Sequence, residues 1–338
     1  MSKNAFRPPV MADVAQRAGV SHQTVSRVLN ELPNVRQSTK DRVLQAIEEL
    51  GYRRNLTARA LVTRHSRVLG VVSFDTTLYG PASTLHGIEQ AARGAGYFVS
   101  IVSLKAITHD SVREAIGYLA SQGVDGIVLV APQRQAAQAL SSVPDDIPAV
   151  AVEGGRARKV PVVSVDQVGG ARLAVEHLLE LGHRTVWHIA GPADWLEAEG
   201  RIKGWQAALT AADRELPEML TGDWSPRSGY EAGLELPADA TAVFVANDQM
   251  ALGLLRALAE RRIKVPKQVS VVGFDDVPEA EFFGPPLTTV RQDFSLVGRH
   301  SIDLLLEQLD TDGPIRRRRV IVPAELITRS STAPPRST

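Results

Sequence analysis

The first residues whose types and spacing could do chemistry are four polar side chains within six positions: His22, Gln23, Ser26 and Arg27. An arginine can donate two hydrogen bonds to O6 and N7 of guanine, and a glutamine can pair with N6 and N7 of adenine. At about 100° per residue the four share one arc of a helix, opposite Val25, Val28 and Leu29. This pattern indicates DNA reading; the alternative is an amphipathic hairpin whose polar face only meets water.

These residues lie in the second half of a predicted helix–turn–helix over residues 11–30. Its first helix has one apolar face at i, i+3, i+4 and i+7, made by Met11, Val14, Ala15 and Ala18. Gly19 interrupts that pattern, and Ser21 can cap the second helix by accepting from its free N–H groups. A third helix is predicted to end near Leu50, with Gly51 as its stop.

Charge is distributed unevenly along the chain. Residues 1–67 contain 12 Lys and Arg against 5 Asp and Glu, a charge of +7, whereas the whole chain balances 38 against 38. The remaining residues therefore carry −7. Counterion release draws a basic head to DNA phosphates, and an acidic body avoids them. An anionic membrane is the alternative partner, but the bulky apolar face of an interfacial helix is missing.

Composition excludes several classes of protein. The 338 residues leave room for a small head and two further subdomains, and the chain contains no cysteine. Disulfides, thiol catalysis and cysteine-based metal sites are therefore excluded. The sequence shows neither a signal-peptide core nor a membrane span, so we expect a cytoplasmic, nucleoid-associated protein without membrane attachment.

From residue 68 onward, apolar β-branched runs alternate with helical stretches. This alternation predicts parallel sheets covered on both faces. The predicted strands are 68–74, 98–104, 126–131, 149–153, 162–166, 185–191, 242–247, 269–276, 287–292 and 320–322. No phosphate-binding glycine motif follows any of them, so nucleotide chemistry gains no support. His183 and His188 lack a third donor at metal-ligand spacing and are predicted to have core or loop roles.

A second set of polar residues marks the ends of these strands: Asp75, Glu153, Asp166, Asn247, Asp275 and Gln292. In open α/β sheets, ligands bind beyond the carboxyl ends of the strands. Carboxylates and carboxamides without a nucleophile suit a sugar, whose hydroxyls both donate and accept. Arg201 and Trp224 add a bidentate donor and a platform for a pyranose face. Each strand-end residue taken singly could instead be a helix cap.

The same residues leave two other classes of protein as alternatives. The pairs Asn247-Asp248 and Asp275-Asp276 could suggest acid/base catalysis on sugars, but without a nucleophile or metal they are predicted to be hydroxyl ligands. A periplasmic sugar-binding protein would account for the body, yet it requires a signal peptide and leaves the basic head unexplained. We therefore expect no enzyme activity, no cofactor and no metal.

Longer motifs carry a resemblance to a known family. DVAQRAGVSHQTVSRVLN and LGYRRNLTARAL in the head, with LGHRTVWHIAGP, VANDQMALG, SVVGFDD and PPLTTVRQDF in the body, closely resemble the lac/galactose-repressor family of bacterial transcription regulators. The resemblance implies a helix–turn–helix head, a hinge helix and an α/β body. That body has two doubly wound parallel-sheet subdomains of periplasmic-binding-protein type.

The resemblance also implies domain boundaries. The head spans 1–54 and the hinge 55–66. The N-terminal subdomain comprises 67–165 plus 293–321, the C-terminal subdomain 166–292 plus 322–332, and 333–338 is expected to be a disordered tail.

By resemblance, His22, Gln23 and Arg27 take the base-reading positions, and Leu61 takes the position of a hinge leucine that wedges into the minor groove. The implied DNA-binding residues are Ser21, His22, Gln23, Thr24, Ser26, Arg27, Asn30, Thr39, Asn55, Ala58 and Leu61. Arg36 stands where the family has a small capping hydroxyl, so Ser38 or Thr39 is expected to cap the third helix.

The resemblance likewise implies an effector cleft between the two subdomains. Its residues here are Leu78, Gly80, Pro81, Glu153, Glu197, Arg201, Trp224, Asn247, Asp275, Gln292 and Phe294. Arg201, Asn247 and Asp275 would hold ring hydroxyls. Glu153 stands where a well-known family member has a shorter aspartate, and Glu197 where that member has a serine, which changes the space and polarity around a sugar substituent. We expect a neutral, galactoside-like mono- or disaccharide.

The expected mechanism couples the two sites. A homodimer would bind a palindromic operator and leave it when the sugar closes the body. The alternative is a corepressor-dependent regulator that binds DNA more tightly with a non-sugar ligand. Residues 329–338 show no leucine heptad, so a dimer rather than a tetramer is expected.

Overall fold

The computed structural model describes residues 7, 9–30, 32–52, 65–74, 77–104, 108–140, 143–144, 146–155, 159–311 and 318–336. The chain forms two compact units, Met1–Ser66 and Arg67–Thr338, which we call the head and the body. Among the described helices, none has the length and apolar content that crossing a membrane requires.

The described part of the head is helical, with α1 (Met11–Ala18), α2 (His22–Leu29) and α3 (Gln37–Leu50). Gly19 ends α1 in the left-handed region at φ 64°, and the Ser21 hydroxyl caps α2 by accepting the Thr24 N–H at 3.1 Å. One small core holds the helices together, made of Val14, Ala15, Ala18, Val25, Val28, Val43, Ala46 and Tyr52. The predicted helix–turn–helix is confirmed.

The predicted cap of α3 is wrong. The helix begins at Gln37, before Ser38 and Thr39, and Arg36 is its N-cap residue without a side-chain hydrogen bond. The Arg36 carbonyl accepts the N–H groups of Thr39 and Lys40 at 2.9 and 3.1 Å. Both hydroxyl residues therefore lie inside the first turn instead of ahead of it.

The first sheet of the body has the order β11-β5-β4-β3-β1-β2, with every neighbouring pair parallel. Its strands are β1 (Val68–Phe74), β2 (Phe98–Leu104), β3 (Gly126–Val130), β4 (Ala149–Val152), β5 (Val162–Val165) and β11 (Arg319–Val322). The helices packed with it are α4 (Tyr79–Gly94), α5 (His109–Ser121), α6 (Arg134–Ala139) and α11 (Phe294–Leu309). Alternate residues of the strands enter separate apolar clusters on the two faces, one with α5 and α6 and one with α4 and α11.

The second sheet has the order β12-β10-β9-β8-β6-β7, and only β12 runs antiparallel to its neighbour. Its strands are β6 (Trp187–Ala190), β7 (Leu220–Thr221), β8 (Ala242–Val245), β9 (Ser270–Asp275), β10 (Thr288–Gln292) and β12 (Ala324–Ile327). Its helices are α7 (Gln167–Glu180), α8 (Leu196–Ala211), α9 (Pro226–Glu235) and α10 (Asp248–Glu260), and a 3-10 turn spans Pro278–Phe282. The chain passes between the sheets after β5, after β10 and between β11 and β12. The predicted fold class is confirmed.

The C-terminal residues and His183 contact the second sheet, and His188 lies in its strand β6. The end of the chain, expected to be disordered from 333, is held at Ala333, whose N–H bonds the Ser270 hydroxyl at 3.0 Å. The Ala333 carbonyl accepts from Ser270 and lies 3.0 Å from Nε2 of His183. His188 is buried and stacks on Phe244 with ring centroids 4.7 Å apart, and burial lowers its pKa to about 4. Both histidines are structural.

Candidate DNA-reading helix and effector cavity

Helix α2 presents the predicted DNA-reading side chains to solvent. Ser21, His22, Gln23, Arg27 and Asn30 are exposed, whereas the apolar arc of the helix lies in the head core. The other predicted residues of this surface, Thr24, Ser26 and Thr39, are half-buried. Asn55, Ala58 and Leu61, predicted for the hinge, lie outside the described residues.

Short hydrogen bonds order the polar side of α2. The Ser21 and Thr24 hydroxyls lie 2.9 Å apart, and the Asn30 amide donates to the Ser26 carbonyl at 2.8 Å. Across the head, Arg17 of α1 donates to Glu49 of α3 at 2.7 Å, and this bond lowers the pKa of Glu49. The head thus holds α2 in place from its apolar side and leaves its polar side open.

A cavity of about 270 Å³ lies in the body between the two sheets, and all eleven predicted effector residues line it. Glu153 follows β4, Asn247 follows β8, and Asp275 and Gln292 end β9 and β10. Because the carboxyl ends of parallel strands meet at one edge of a sheet, residues distant in sequence come together there. Leu78, Gly80, Pro81 and Phe294 line the cavity from the first-sheet subdomain.

Four polar side chains form a closed ring at the cavity, and three of them, Arg201, Asp275 and Gln292, line it. Arg201 Nε donates to Gln167 at 2.9 Å, and the Gln167 amide donates to Gln292 at 2.9 Å. The Gln292 amide donates to Asp275 at 2.6 Å, and Asp275 lies 3.6 Å from the Arg201 guanidinium. A further Arg201 N–H bonds the Ala246 carbonyl. Since all four side chains are buried, each depends on its neighbours to satisfy its hydrogen bonds.

Burial sets the pKa of Asp275 and the surroundings of the Arg201 cation in this ring. Desolvation raises the pKa of Asp275 to about 6, against the opposing effects of Arg201 and the Gln292 hydrogen bond. The Arg201 guanidinium carbon lies 3.9 Å from the Phe274 ring centroid and 5.4 Å from that of Trp224. These aromatic faces stabilise the cation in a site away from water.

Two tryptophans make a large apolar wall. Trp224 is 6% exposed and meets Trp195 edge to face, with centroids 5.5 Å apart. Its backbone is left-handed at φ 74°, and a side chain at Gly191 would collide with the indole, so both features set its position. The Trp224 indole N–H has no hydrogen-bond partner within the described part of the chain.

Two glutamates complete the wall. Glu153 Oε1 accepts the Val165 N–H at 2.8 Å, and burial raises the pKa of Glu153 to about 7. Burial also raises the pKa of Glu197 well above its ordinary value, and the negative charge of Glu153 raises it further. Glu197 Oε2 is inaccessible and finds no hydrogen-bond partner among the residues described.

Comparison with known proteins decides the family. Residues 10–55 match the family described as bacterial regulatory proteins, lacI family, and residues 175–332 match the periplasmic binding protein-like domain. The chain is 34% identical over 336 residues to the lactose operon repressor of Escherichia coli (strain K12), covering 98% of this chain and 92% of that protein. This chain belongs to the lacI family. It is a DNA-binding transcriptional repressor, and the expectation that it is not an enzyme is confirmed.

Other relatives of this lacI-family chain agree. The HTH-type transcriptional regulator CelR of Thermobifida fusca is 37% identical over 343 residues, covering 96% of this chain and 98% of CelR. A crystal structure of the lac repressor dimer bound to operator and the anti-inducer ONPF superposes with a TM-score of 0.87 at 33% identity, covering 97% and 100% of the two chains. A CelR–cellobiose complex superposes with a TM-score of 0.70 at 33% identity, covering 96% and 99%.

Some strand-end residues of this lacI-family chain do not reach the cavity. Asp166 caps α7 by accepting the Gly169 N–H at 2.8 Å, so its predicted place in the binding set is wrong. Asp75 lies outside the described residues. Asp248 and Asp276, which were predicted as hydroxyl ligands, do not line the cavity either and instead make structural contacts. Asp248 accepts from Thr289 and from the Val277 N–H, and Asp276 pairs with Arg291 and Arg329.

Several residues at the cavity were not among those predicted from the sequence. Trp195, Tyr79 and Gln249 line the cavity, and Gln249 accepts from the Asn247 amide at 3.1 Å. Gln167 was missed as well, although it holds Arg201 in place. A signal existed for Trp195, because the chain has only 4 tryptophans and this one lies two residues before Glu197. In the described residues, no group of three His, Cys, Asp or Glu side chains is arranged to hold a metal.

Proposed function

We propose that this lacI-family repressor binds a palindromic operator as a homodimer and leaves it when a small galactoside-like sugar occupies the body cavity. The observation that carries the proposal is the pairing of a polar ring with a tryptophan wall around one cavity. Charged and amide groups can exchange hydrogen bonds with sugar hydroxyls, and an indole packs on the apolar face of a pyranose.

Unpartnered polar atoms in the wall support the same conclusion. Within the described residues, the Trp224 N–H and Glu197 Oε2 are a buried donor and a buried acceptor without hydrogen bonds. A buried donor or acceptor is unfavourable unless a ligand or a water molecule makes a hydrogen bond with it. The lac repressor bound to operator and ONPF, and CelR bound to cellobiose, support a DNA site and a small-ligand site in one chain.

The test is a fluorescence-anisotropy titration of the full chain against a palindromic duplex from upstream of its gene, at fixed salt. The titration is repeated with galactosides, glucose, cellobiose, a purine base and an amino acid. We expect one sugar to weaken operator binding by about 5- to 150-fold, the usual range of allosteric coupling. A response to the purine or amino acid alone would overturn the sugar assignment, and tightening would make the ligand a corepressor.

A matched pair of variants ties the response to the cavity. Trp224→Phe keeps an aromatic face but replaces the indole by a smaller phenyl ring and removes the unpartnered N–H, so we expect a weaker sugar response and unchanged operator affinity without sugar. Trp205→Phe is the control, because the buried Trp205 N–H donates to the Val186 carbonyl at 2.7 Å and the residue does not line the cavity. Equal loss of response in both variants would contradict the site.

A further inference from the structure

More acidic than basic side chains line the cavity. The acidic residues are Glu153, Glu197 and Asp275, and among the lining residues that the structure describes Arg201 is the one cation. Arg201 is already engaged, since its N–H groups reach Gln167, the Ala246 carbonyl and Asp275. Arg201 therefore pairs with Asp275 and leaves Glu153 and Glu197 without a cation of their own among the described lining residues.

Glu153 and Glu197 both line the cavity, so the lack of a cation beside them is a property of the ligand site. Glu153 uses one oxygen for the Val165 N–H, and the two carboxyl groups are close enough for each to affect the ionisation of the other. Glu197 Oε2 is wholly inaccessible and has no partner among the described residues. Arg319 also acts on Glu153 electrostatically, but it does not line the cavity. A hydrogen-bond donor stabilises the ionised form of a buried carboxyl group, and a positively charged donor does so most strongly.

The rest of the wall also suits a cation. Trp195, Trp224, Tyr79 and Phe294 line the same cavity. The electron-rich faces of aromatic rings attract ammonium groups, most strongly where water is excluded. A ligand with a sugar ring and one positive charge would thus match both components of the wall.

We propose that the effector is a sugar that carries a protonated amine, and that Glu153 and Glu197 bind its ammonium group. An ammonium group has three donors, and it can pair with the carboxyl groups of Glu153 and Glu197, which both line the cavity. Sugars with a carboxylate or phosphate are rejected, because their negative charge would face two acidic side chains. This inference rests on the proposed function, and it replaces the neutral sugar expected from the sequence.

The test is isothermal titration calorimetry of the full-length protein near pH 7 with three matched sets of sugars. The amines are galactosamine, glucosamine and the β-1,4-linked glucosamine disaccharide. Each is compared with its neutral parent (galactose, glucose or cellobiose) and with its N-acetyl derivative. We expect one amine to bind roughly 10- to 100-fold more tightly than both of its neutral counterparts, as a charge-assisted hydrogen bond in place of a neutral one allows. Glucose 6-phosphate and galacturonate should bind least.

A matched pair of variants assigns the preference to the pair of glutamates. Glu197→Gln keeps the shape of the side chain and should remove the preference for the amine over its neutral parent. Glu199→Gln removes the same charge from the same helix, but Glu199 pairs with Arg134 and Lys203 and does not line the cavity. It should keep the preference.

The outcomes separate this inference from the proposed function. If a neutral sugar binds at least as tightly as its amine, or if Glu197→Gln keeps the preference, the amine assignment is wrong and the sugar-responsive repressor stands. If no sugar of any charge binds, the proposed function fails, and the amine assignment fails with it.

Discussion

The head and the body build their functional surfaces in opposite ways. In the head, the predicted base-reading residues His22, Gln23 and Arg27 lie close together on one helix, and all three are exposed. In the body, the ring of Arg201, Asp275, Gln292 and Gln167 is buried, and its members come from widely separated parts of the chain. Substitutions in the head surface should therefore alter binding with little effect on stability, whereas substitutions in the ring should alter both.

The largest effect is expected for Arg201→Met. This change leaves Asp275 buried without its cation and should lower the free energy of unfolding of the body by about 3–5 kcal/mol. All 4 tryptophans lie in the body, so urea denaturation followed by tryptophan fluorescence reports that unit. Arg256→Met is the control, because Arg256 pairs with Glu260 on the surface with 71% of its side chain exposed. The control should lose less than about 0.5 kcal/mol, and equal losses would contradict the contrast between the two regions.

Arg27→Ala should show the opposite behaviour. Loss of a base-reading arginine is expected to reduce the preference for operator over a scrambled duplex by roughly 5- to 150-fold, with a change in stability within about 0.5 kcal/mol. Arg17→Ala removes the same charge from the head, where Arg17 bonds Glu49. That control should weaken both duplexes to a similar extent and keep the ratio. Competition binding at fixed salt measures both variants, and an unchanged ratio for Arg27→Ala would remove it from the reading surface.

The pH dependence of stability tests the buried acids. Glu153 has an ordinary pKa of 4.5, and burial raises it to about 7 in the folded protein. The folded state therefore binds more protons than the unfolded state between these values, and stability falls as pH rises through that window. Glu153→Gln should remove this component, which has a slope of at most about 1.4 kcal/mol per pH unit. Urea denaturation of both proteins from pH 4.5 to 7.5 provides the difference, and parallel profiles would contradict the assignment.

The buried His188 changes stability with pH in the opposite direction to Glu153, over part of the same pH range. Burial lowers the pKa of its ring from 6.5 to about 4, so its contribution to stability is present above pH 6.5 and is lost as pH falls. The difference between wild type and Glu153→Gln cancels this effect, since both proteins keep the histidine.

The smallest effect is expected for Ser21→Ala. The change removes the hydroxyl that accepts the Thr24 N–H, and N-cap losses of this kind lower stability by about 1 kcal/mol. Hydrogen exchange of the α2 amides detects this as faster opening of the head. Ser38→Ala is the control, because Ser38 is exposed and does not cap α3. Protection of α2 that is equally reduced by both changes would show that the cap is not responsible.

The sequence predicted the head more directly than the cavity. Helical spacing and the Ser21 cap are local, so α2 and its exposed residues follow from neighbouring positions. In the body, the strand-end rule correctly placed Glu153, Asn247 and Asp275 at one cavity. It failed for Asp166, because a carboxylate after a strand can equally cap the next helix. The resemblance supplied the rest of the lining set.

Features that depend on distant contacts were not predictable from spacing. The role of Gln167 requires Arg201 and Gln292, which lie 34 and 125 residues away. Strand β7 has only two residues, and β12 is a half-buried edge strand without an apolar run. The predicted tail, 333–338, is polar and rich in proline, yet its first residue, Ala333, bonds the second sheet, as does Ser331 just before it. Such contacts appear only once the fold brings the partners together.

The most direct test of the account is whether the head site and the cavity are energetically coupled. Calorimetry of an effector sugar binding to the free protein and to the operator-bound protein measures this, because coupling between two ligands is reciprocal. The account predicts that operator weakens sugar binding by the same factor, about 5- to 150-fold, by which the sugar weakens operator binding. Equal sugar affinities with and without operator would show that the cavity binds its ligand without controlling the DNA site.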